Sequence, residues 1–319
     1  MGIYIVFVTN GAHVAAIIGG FVALDPRLGW RWCYWVPAMI QAGTWLLNIF
    51  CLPETLYHRN PVTGTSHMPA RSRSSLLLFR NAVPNRRSLT LGDFTHVFLM
   101  LAYPSVLLPA LYYSISFGLG SVLFAVTGAA AFGEIYHFDT AQVGLAIGLS
   151  TFIGTLLGEL SAGPVSDRIL YLQMKRSGGA FKPEARLQAI WPGFVLLPAG
   201  VIIEGVTLQY ETHWSGPVLG IGISAFGLQI ISTNIFSYCT DCYKPQSAQI
   251  STLLNFGRQT FSFTLGFYML PFAAATTFGV AWSVMAIIQA VLFIGILLLM
   301  WRGREWREKM GRPKFDKDL

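Results

Sequence analysis

The 319-residue chain is poor in charged residues and rich in apolar ones, at 12% and 53% of its length. A soluble domain usually carries about 25% charged residues, so this chain has too few charges to cover a water-facing surface. The net charge of +7 would suit nucleic-acid binding in a soluble protein. No basic stretch alternates with aromatic residues on a soluble segment, so the composition argues for a membrane protein and against nucleic-acid binding.

The apolar residues are concentrated in long runs. Runs such as residues 291–299 are apolar on every side, whereas barrel strands alternate apolar and polar residues. A helix needs about 20 apolar residues to cross the hydrocarbon, and on that measure the chain is an all-α membrane protein with about eight transmembrane helices. The predicted spans are residues 2–23, 32–52, 104–130, 140–162, 189–208, 216–238, 250–274 and 279–301.

The stretches between the spans differ in charge. Of the 22 Lys and Arg residues, 19 fall in residues 53–103, 163–188, 239–249 and 302–319. This bias predicts that those four stretches face the cytoplasm, where loops rich in Lys and Arg are found. Residues 53–103 contain six Arg residues together with Pro, Ser and Gly, so we expect a mobile linker there. Residues 163–188 are expected to form a basic loop.

Charged side chains inside the spans are candidates for function, because each costs about 2.5–3.5 kcal/mol at membrane depth by insertion scales. Arg258 shares a helical face with Asn255. It either lines a substrate or coupling site, or extends to the cytoplasmic surface or a structural partner. Glu159 either titrates during transport or forms a structural latch with Arg168 or Arg258. Glu204 is either a proton site or a water-exposed helix end.

Uncharged polar side chains inside the spans form a second group of candidates. Tyr112, Tyr113, Gln229 and Asn234 either contact substrate or form hydrogen bonds between helices. His13 is either packed and hydrogen-bonded or part of a proton relay. The sequence leaves both alternatives open, because each requires a polar group that faces the interior of the bundle.

Motifs of other protein classes are missing from the sequence. The six histidines form no H-x-x-x-H or H-E-x-x-H pair, and Cys239 and Cys242 form one C-x-x-C pair without the second pair that zinc requires. No G-x-S-x-G or G-x-x-x-x-G-K-[ST] motif occurs. We therefore expect no enzyme activity, no metal, no cofactor and no ATP site. A seven-helix receptor is disfavoured because an even number of spans places both ends of the chain on one side.

Two stretches carry motifs with a distinctive spacing. The first span has Gly2, Gly11, Ala15-Ala16 and Gly19-Gly20, and residues 163–168 read Gly-Pro-Val-Ser-Asp-Arg. They resemble the antiporter motif and the start of the G-x-x-x-D-R motif of the major facilitator superfamily, in particular of fungal drug:proton antiporter-type transporters. The family has Gly-Pro where Ala15-Ala16 stands, and a basic continuation that is absent here. Further resemblances lie at residues 28–32, 52–55, 183–187, 255–258 and 271.

The resemblance implies a partial major facilitator fold. The family has two six-helix halves with the substrate near the midplane between them, and this chain would align from the fifth helix onward. The implied organisation is two helices of the N-terminal half, a cytoplasmic linker, a complete six-helix C-terminal half and a cytoplasmic tail, at residues 1–52, 53–103, 104–301 and 302–319. Helices one to four would be missing, so we expect that the chain by itself does not transport.

The resemblance also implies a function. The chain would serve secondary active transport of a small molecule, by efflux (for example of several drugs) or by uptake. It would act by alternating access in the plasma membrane, with protons as the coupling ion. The implied functional residues are Asp167, Arg168 and Asp241 in gating loops, and Gly11, Gly19 and Gly20 in helix packing. Asp167 would either accept backbone N–H bonds or pair with a basic residue. The alternative is a non-transporting membrane remnant or scaffold.

Overall fold

The structure of the chain is a computed structural model. It describes residues 2–27, 29–51, 58–59, 66–67, 91–176, 178–179, 182–311 and 313. The chain divides into two compact units, of which one is Asp25–Leu91 and the other combines Met1–Leu24 with Gly92–Leu319.

The smaller unit contains helix α2 (Trp32–Cys51) and a short antiparallel pair of strands, β1 (His58–Arg59) and β2 (Ser66–His67). A tight turn precedes α2, in which the Gly29 N–H donates to the Asp25 carbonyl oxygen at 2.9 Å. Gly29 has a φ of 66°, a left-handed conformation that glycine adopts without steric cost. The predicted mobility of the linker concerns residues 53–57, 60–65 and 68–90, which lie outside the described residues.

In the larger unit, all regular secondary structure among the described residues is helical. Its helices are α1 (Gly2–Leu24), α3 (Leu91–Leu99), α4 (Pro104–Tyr136), α5 (Thr140–Arg176), α6 (Trp191–Gln209), α7 (Ser215–Cys242), α8 (Ser247–Ala275) and α9 (Phe278–Met310). Helix α4 contains a π-helical turn at Gly118–Val122. Short 3₁₀ helices lie at Met100–Ala102, Pro183–Ile190 and Lys244–Gln246. We call Pro183–Ile190 the 3₁₀ segment.

All eight predicted spans are helical over their described residues. In the part of the chain that the structure describes, five helices are long and apolar enough to cross a membrane: α4, α5, α6 with the 3₁₀ segment, α7 and α9. Helix α1 contributes a shorter apolar stretch, Asn10–Leu24, over its described side chains. Helix α8 is long, but its Ser, Thr, Gln, Asn and Arg residues lower its mean hydropathy. The prediction of an all-α, multi-pass membrane protein is confirmed.

The prediction of a basic loop that begins at residue 163 is wrong. Helix α5 continues through Pro164 to Arg176, so Asp167 and Arg168 lie on a helix, and Asp241 lies in the last turn of α7. The polar residues mark where the helix is expected to leave hydrocarbon, but they do not stop it. It ends before Gly178 and Gly179, which have φ values of 65° and 92° and can adopt the left-handed conformation of a helix terminus.

The predicted linker also ends in ordered structure. Helix α3 and the 3₁₀ helix Met100–Ala102 occupy its last residues. Met100 is fully buried, and the Phe98 ring contacts the Phe256 ring of α8 edge to face at 5.4 Å between centroids. The apolar residues at the end of 53–103 were not recognised as a helix because the composition was averaged over the whole stretch.

Close contacts between helices form where glycines face a neighbour. A Cβ atom on Gly144 would lie 2.7 Å from the Ala16 carbonyl oxygen, so α5 packs directly on α1. Gly154 in the same helix meets Gly222 of α7. Small residues allow such approach in lipid, where packing rather than the hydrophobic effect drives helix association. Helix α1 itself is unbroken through Ala15-Ala16.

The three glycines predicted to serve helix packing are not equivalent. A Cβ atom on Gly20 would lie 2.7 Å from the Thr140 carbonyl oxygen and 3.3 Å from the Gly144 Cα atom. A Cβ atom on Gly11 or Gly19 would meet no atom within 4 Å. Among the three, Gly20 therefore lies at the contact between α1 and α5.

This difference predicts unequal effects of two neighbouring substitutions in α1. Gly20→Ala should lower the free energy of unfolding by about 1–3 kcal/mol, because the new methyl group overlaps backbone atoms of α5. Gly19→Ala is the matched control and should be neutral or slightly stabilising, since alanine favours helix. Thermal unfolding of the purified protein in detergent measures both. Equal melting temperatures for the two variants would contradict the described contact.

Candidate functional site

A polar cavity of about 490 Å³ lies between α5, the 3₁₀ segment, α7 and the start of α8. Three predicted candidates, Glu159, Asp167 and Asp241, line this cavity together. The other lining residues are Gly163, Ser166, Arg186, Thr233, Ser237, Thr240, Lys244 and Ser247. The cavity is therefore lined by hydroxyl groups, three carboxyl groups and two basic side chains at the predicted cytoplasmic end of the bundle.

Arg186 of the 3₁₀ segment joins two of these carboxylates. Its Nε donates to Asp241 Oδ2 at 2.7 Å, and its Nη1 donates to Asp167 Oδ1 at 3.1 Å and to Ser166 Oγ at 3.2 Å. We call Asp167, Arg186 and Asp241 the Arg186 clasp. Sequence reasoning missed Arg186, although the residue lies in one of the stretches that resembles the family.

The two arms of the Arg186 clasp differ in exposure. The Asp241 side chain is 19% exposed, whereas the Asp167 side chain is 73% exposed. Exposed ion pairs contribute about 0–1 kcal/mol, because water competes for both charges. A less exposed charge-assisted hydrogen bond contributes more. The Asp241 arm is therefore the stronger one, and the Asp167 arm is the one that separates more easily.

The 3₁₀ segment forms a second ion pair on its other side. Glu184 Oε1 accepts from Arg307 Nη2 of α9 at 2.9 Å, and the side chains are 12% and 24% exposed. Glu184 and Arg186 are two residues apart but bond to different helices. The segment therefore links α5, α7 and α9 at one end of the bundle, an arrangement that the sequence did not predict.

Glu159 has a different set of partners from the two expected. Its Oε2 accepts hydrogen bonds from Gln229 Nε2 at 2.8 Å and from Thr233 Oγ1 at 2.5 Å, both on α7. The predicted pairing with Arg168 or Arg258 is wrong. Arg168 is exposed and lies nine residues further along α5, about half a turn out of phase at ~3.6 residues per turn. Glu159 itself is 8% exposed.

Arg258 lies between α8 and α4 with uncharged partners. Its Nη1 donates to the Tyr113 hydroxyl at 3.3 Å, and its guanidinium carbon is 4.2 Å from the centroid of the Phe117 ring. Its Nε is buried without a hydrogen-bond partner. Asn255, one turn away, donates its Nδ2 to the Ser251 carbonyl of its own helix at 2.8 Å. Arg258 forms none of the ion pairs found among the described residues.

Tyr112 and Asn234 lie in the interior of the bundle. The Tyr112 hydroxyl accepts from Gln289 Nε2 of α9 at 2.7 Å, and the ring is fully buried. Asn234 is fully buried and donates its Nδ2 to the Ile230 carbonyl at 2.8 Å. For Tyr112 the geometry favours a hydrogen bond between helices over contact with substrate. Sequence reasoning did not identify Gln289 as its partner.

Two further titratable residues are buried. Glu204 is 1% exposed, and its Oε2 has no hydrogen-bond partner, so the interpretation as a water-exposed helix end is wrong. The adjacent Gly205 packs against the Trp282 side chain of α9, and this contact explains the burial of this part of α6. His13 is buried beside α5, where its backbone carbonyl faces Gly148.

A second, apolar cleft of about 530 Å³ lies between the first half of α5 and the start of α7. Its polar side chains bond locally. Gln142 Oε1 accepts from the Asp139 N–H at 3.0 Å, and Ser150 Oγ donates to the Ala146 carbonyl at 2.5 Å. The cleft thus offers mainly aliphatic and aromatic surface, including Phe138 and Trp214.

The unequal arms of the Arg186 clasp predict unequal effects of two matched substitutions. Asp241→Asn should lower the free energy of unfolding by about 1–3 kcal/mol, because it removes a short charge-assisted hydrogen bond. Asp167→Asn should change it by less than about 0.5 kcal/mol, since its arm is exposed to water. Denaturant titration in detergent measures both values. A larger loss for Asp167→Asn would overturn the ranking of the two arms.

Comparison with known proteins agrees with this architecture. The model of the Major Facilitator Superfamily matches residues 1–267. The chain is 32% identical to "MFS-type transporter tndD" of Aspergillus flavipes over 70% of this chain and 42% of that protein. It is 27% identical to "Efflux pump radE" of Floropilus chiversii over 97% of this chain and 57% of that protein. The chain spans about half the length of the curated relatives it matches. By this match and its helical architecture, the chain belongs to the major facilitator superfamily.

Proposed function

We propose that this chain takes part in the secondary active transport of a small molecule by alternating access. The observation that carries the proposal is the polar cavity with the Arg186 clasp, at one end of a bundle of membrane-spanning helices in a major facilitator protein. Ionisable residues that face a cavity between membrane-spanning helices commonly mark the path of a substrate or an ion. Such a cavity is expected where a solute must leave or enter the aqueous phase.

The clasp suggests how the bundle would move. Alternating access in this kind of fold is largely rigid-body rocking of one half against the other. The Asp241 arm and the Glu184–Arg307 pair would hold the cytoplasmic ends of α7 and α9 to the 3₁₀ segment as one body. The exposed Asp167 arm would open and close, which gives Asp167 a gating role. Arg168 is exposed on the same helix and would act at this surface.

The direction of transport is proposed to be efflux. Relatives named "Efflux pump radE" and "Probable efflux pump mfs2" support this direction, as does the resemblance to antiporter-type carriers. We propose the plasma membrane as the location, because efflux from a cell requires that membrane. Multidrug efflux is the proposed kind of transport. The proposal includes no catalytic step.

Protons are the proposed coupling ion, and Glu159 is the proposed site. Among the described residues, Glu159 is bonded only to neutral side chains, so its negative charge is not compensated by an ion pair. An uncompensated charge at membrane depth is unfavourable, and a proton would remove it. The charged residues around the same cavity are Asp167, Arg186, Asp241 and Lys244. Exchange of a proton at Glu159 would therefore be linked to the state of the clasp.

A membrane scaffold without transport activity is the second candidate. It is favoured by the number of buried polar groups that bond to other helices or to their own helix, such as Tyr112 with Gln289 and Asn234 with Ile230. A scaffold needs these bonds but needs no proton exchange at Glu159. The two candidates therefore differ in whether the protein moves a solute when a proton gradient is applied.

The test uses inverted membrane vesicles from cells that carry the gene at its natural locus, compared with vesicles from cells in which the gene is deleted. An acid interior is imposed without ATP, and the probes are the anionic dye 5-carboxyfluorescein and the cationic dye rhodamine 6G. We expect gene-dependent accumulation of a dye, which a protonophore abolishes. No gene-dependent accumulation of either dye would favour the scaffold.

The coupling role of Glu159 predicts a selective loss. Glu159→Gln at the natural locus should abolish accumulation against the gradient while dye exchange across the membrane continues, because the amide keeps the shape but takes no proton. Glu134→Gln is the matched control, since Glu134 is exposed on α4. Both variants are measured at equal amounts of protein in the membrane. Proton-driven accumulation that survives Glu159→Gln would remove Glu159 from the coupling site.

A further inference from the structure

We propose that Arg258, Tyr113 and Phe117 form a binding site for an aromatic organic anion, whose acidic group pairs with the Arg258 guanidinium. We call these three residues the Arg258 site. The proposal rests on the proposed transport function and names the substrate class that this function would serve. It is argued from the depth of the site, its uncompensated charge and its aromatic surroundings.

The Arg258 site lies deep in the bundle. Arg258 is about 17 Å along α8 from Ser247, and Tyr113 is about 14 Å along α4 from Pro104, at ~1.5 Å per residue. The hydrocarbon core is about 30 Å thick, so a residue this far from the end of a helix that spans it is expected near its middle. A lipid headgroup does not reach this depth, whereas a free ligand that enters the bundle can reach it. The Gly257 backbone lies close to Ser114 of α4, which fixes this pairing of the two helices.

The charge of Arg258 has no counter-ion among the described residues. The carboxylates that lie within ion-pair distance of an arginine belong to Asp167, Asp241, Glu184 and Glu308, and they pair with Arg186, Arg307 and Arg304. The partners of Arg258 are the Tyr113 hydroxyl and the Phe117 ring, which are both neutral. A cation at this depth is expected to face a cavity or an anion. The charge of Arg258 therefore remains available to a bound anion.

The geometry of Arg258 suits a carboxylate, sulfonate or phosphate group. A guanidinium offers a planar fork of donors that matches two oxygens of such a group. The ring of Phe117 lies under the guanidinium at 4.2 Å and holds it by a cation–π contact. Arg258 is half-buried, so part of its fork remains accessible to a ligand.

The surroundings of Arg258 favour an aromatic body on the anion. Tyr113 contacts Phe117 at 6.1 Å and the Phe236 ring of α7 at 5.4 Å between centroids. Aromatic rings prefer such tilted and edge-to-face contacts, and a further ring can add to the cluster. The π-helical turn of α4 begins at Gly118, directly after Phe117. π-Helical turns occur frequently at functional sites. The turn beside Phe117 therefore supports a functional site here independently of the charge of Arg258.

The experiment compares two xanthene dyes of opposite charge, 5-carboxyfluorescein and rhodamine 6G, in vesicles from cells with the gene at its natural locus. We expect wild-type vesicles to transport the anionic dye. Arg258→Gln should lower its initial rate about 10- to 100-fold, the loss expected for charge-assisted hydrogen bonds. Arg258→Lys keeps the charge but loses the fork, so it should raise the KM about tenfold and keep the maximal rate.

Controls separate the possible failures. Arg304→Gln alters an exposed arginine of α9 and should leave both dyes unaffected. If Arg258→Gln does not reach the membrane, the KM of Arg258→Lys decides the question. Wild-type transport of rhodamine 6G alone would overturn the anion site and leave the proposed function standing. Transport of neither dye would overturn both. An equal loss of both dyes in the Arg258 variants would assign Arg258 a structural role and overturn the site.

Discussion

Arg186 forms the interaction on which the arrangement of the cytoplasmic end depends. One guanidinium bonds Asp241 at 2.7 Å and Asp167 at 3.1 Å, which ties α7 and α5 to the 3₁₀ segment. Two residues earlier, Glu184 bonds Arg307 and adds α9 to the same assembly. Asp167, Arg186 and Asp241 also line the polar cavity. Without Arg186, the carboxylates of Asp167 and Asp241 would lose the guanidinium that both of them bond.

Two groups of polar side chains in the bundle differ in charge. The neutral ones contribute to stability, and the charged ones are candidates for function. The hydrogen bond from Gln289 to Tyr112 joins α9 to α4 in the interior, and the Asn234 amide bonds the Ile230 carbonyl of its own helix. Arg258 and Glu159 instead carry charges whose described partners are neutral. In hydrocarbon an uncompensated charge is unfavourable, so these two residues are suited to bind something that the chain itself does not supply.

Hydropathy predicted the helices well, because the length of an apolar run is set by the membrane. It could not locate the end of α5, where charge marks the exit from hydrocarbon but Gly178 and Gly179 stop the helix. It also missed α3, whose apolar residues are diluted in the average over a polar stretch. Arg186 and Gln289 were missed for another reason. Their partners are 19 to 177 residues away in sequence, and only the fold brings them together.

Counterflow tests the central claim, transport by alternating access, most directly. Vesicles from cells with the gene are preloaded with unlabelled 5-carboxyfluorescein and then diluted into isotopically labelled dye without any ion gradient. An alternating-access carrier exchanges one molecule for another, so labelled dye should rise transiently above its equilibrium level, and vesicles from gene-deleted cells should show no such rise. Uptake that approaches equilibrium without an overshoot, both for 5-carboxyfluorescein and in a parallel experiment with rhodamine 6G, and identical in both kinds of vesicle, would contradict the account.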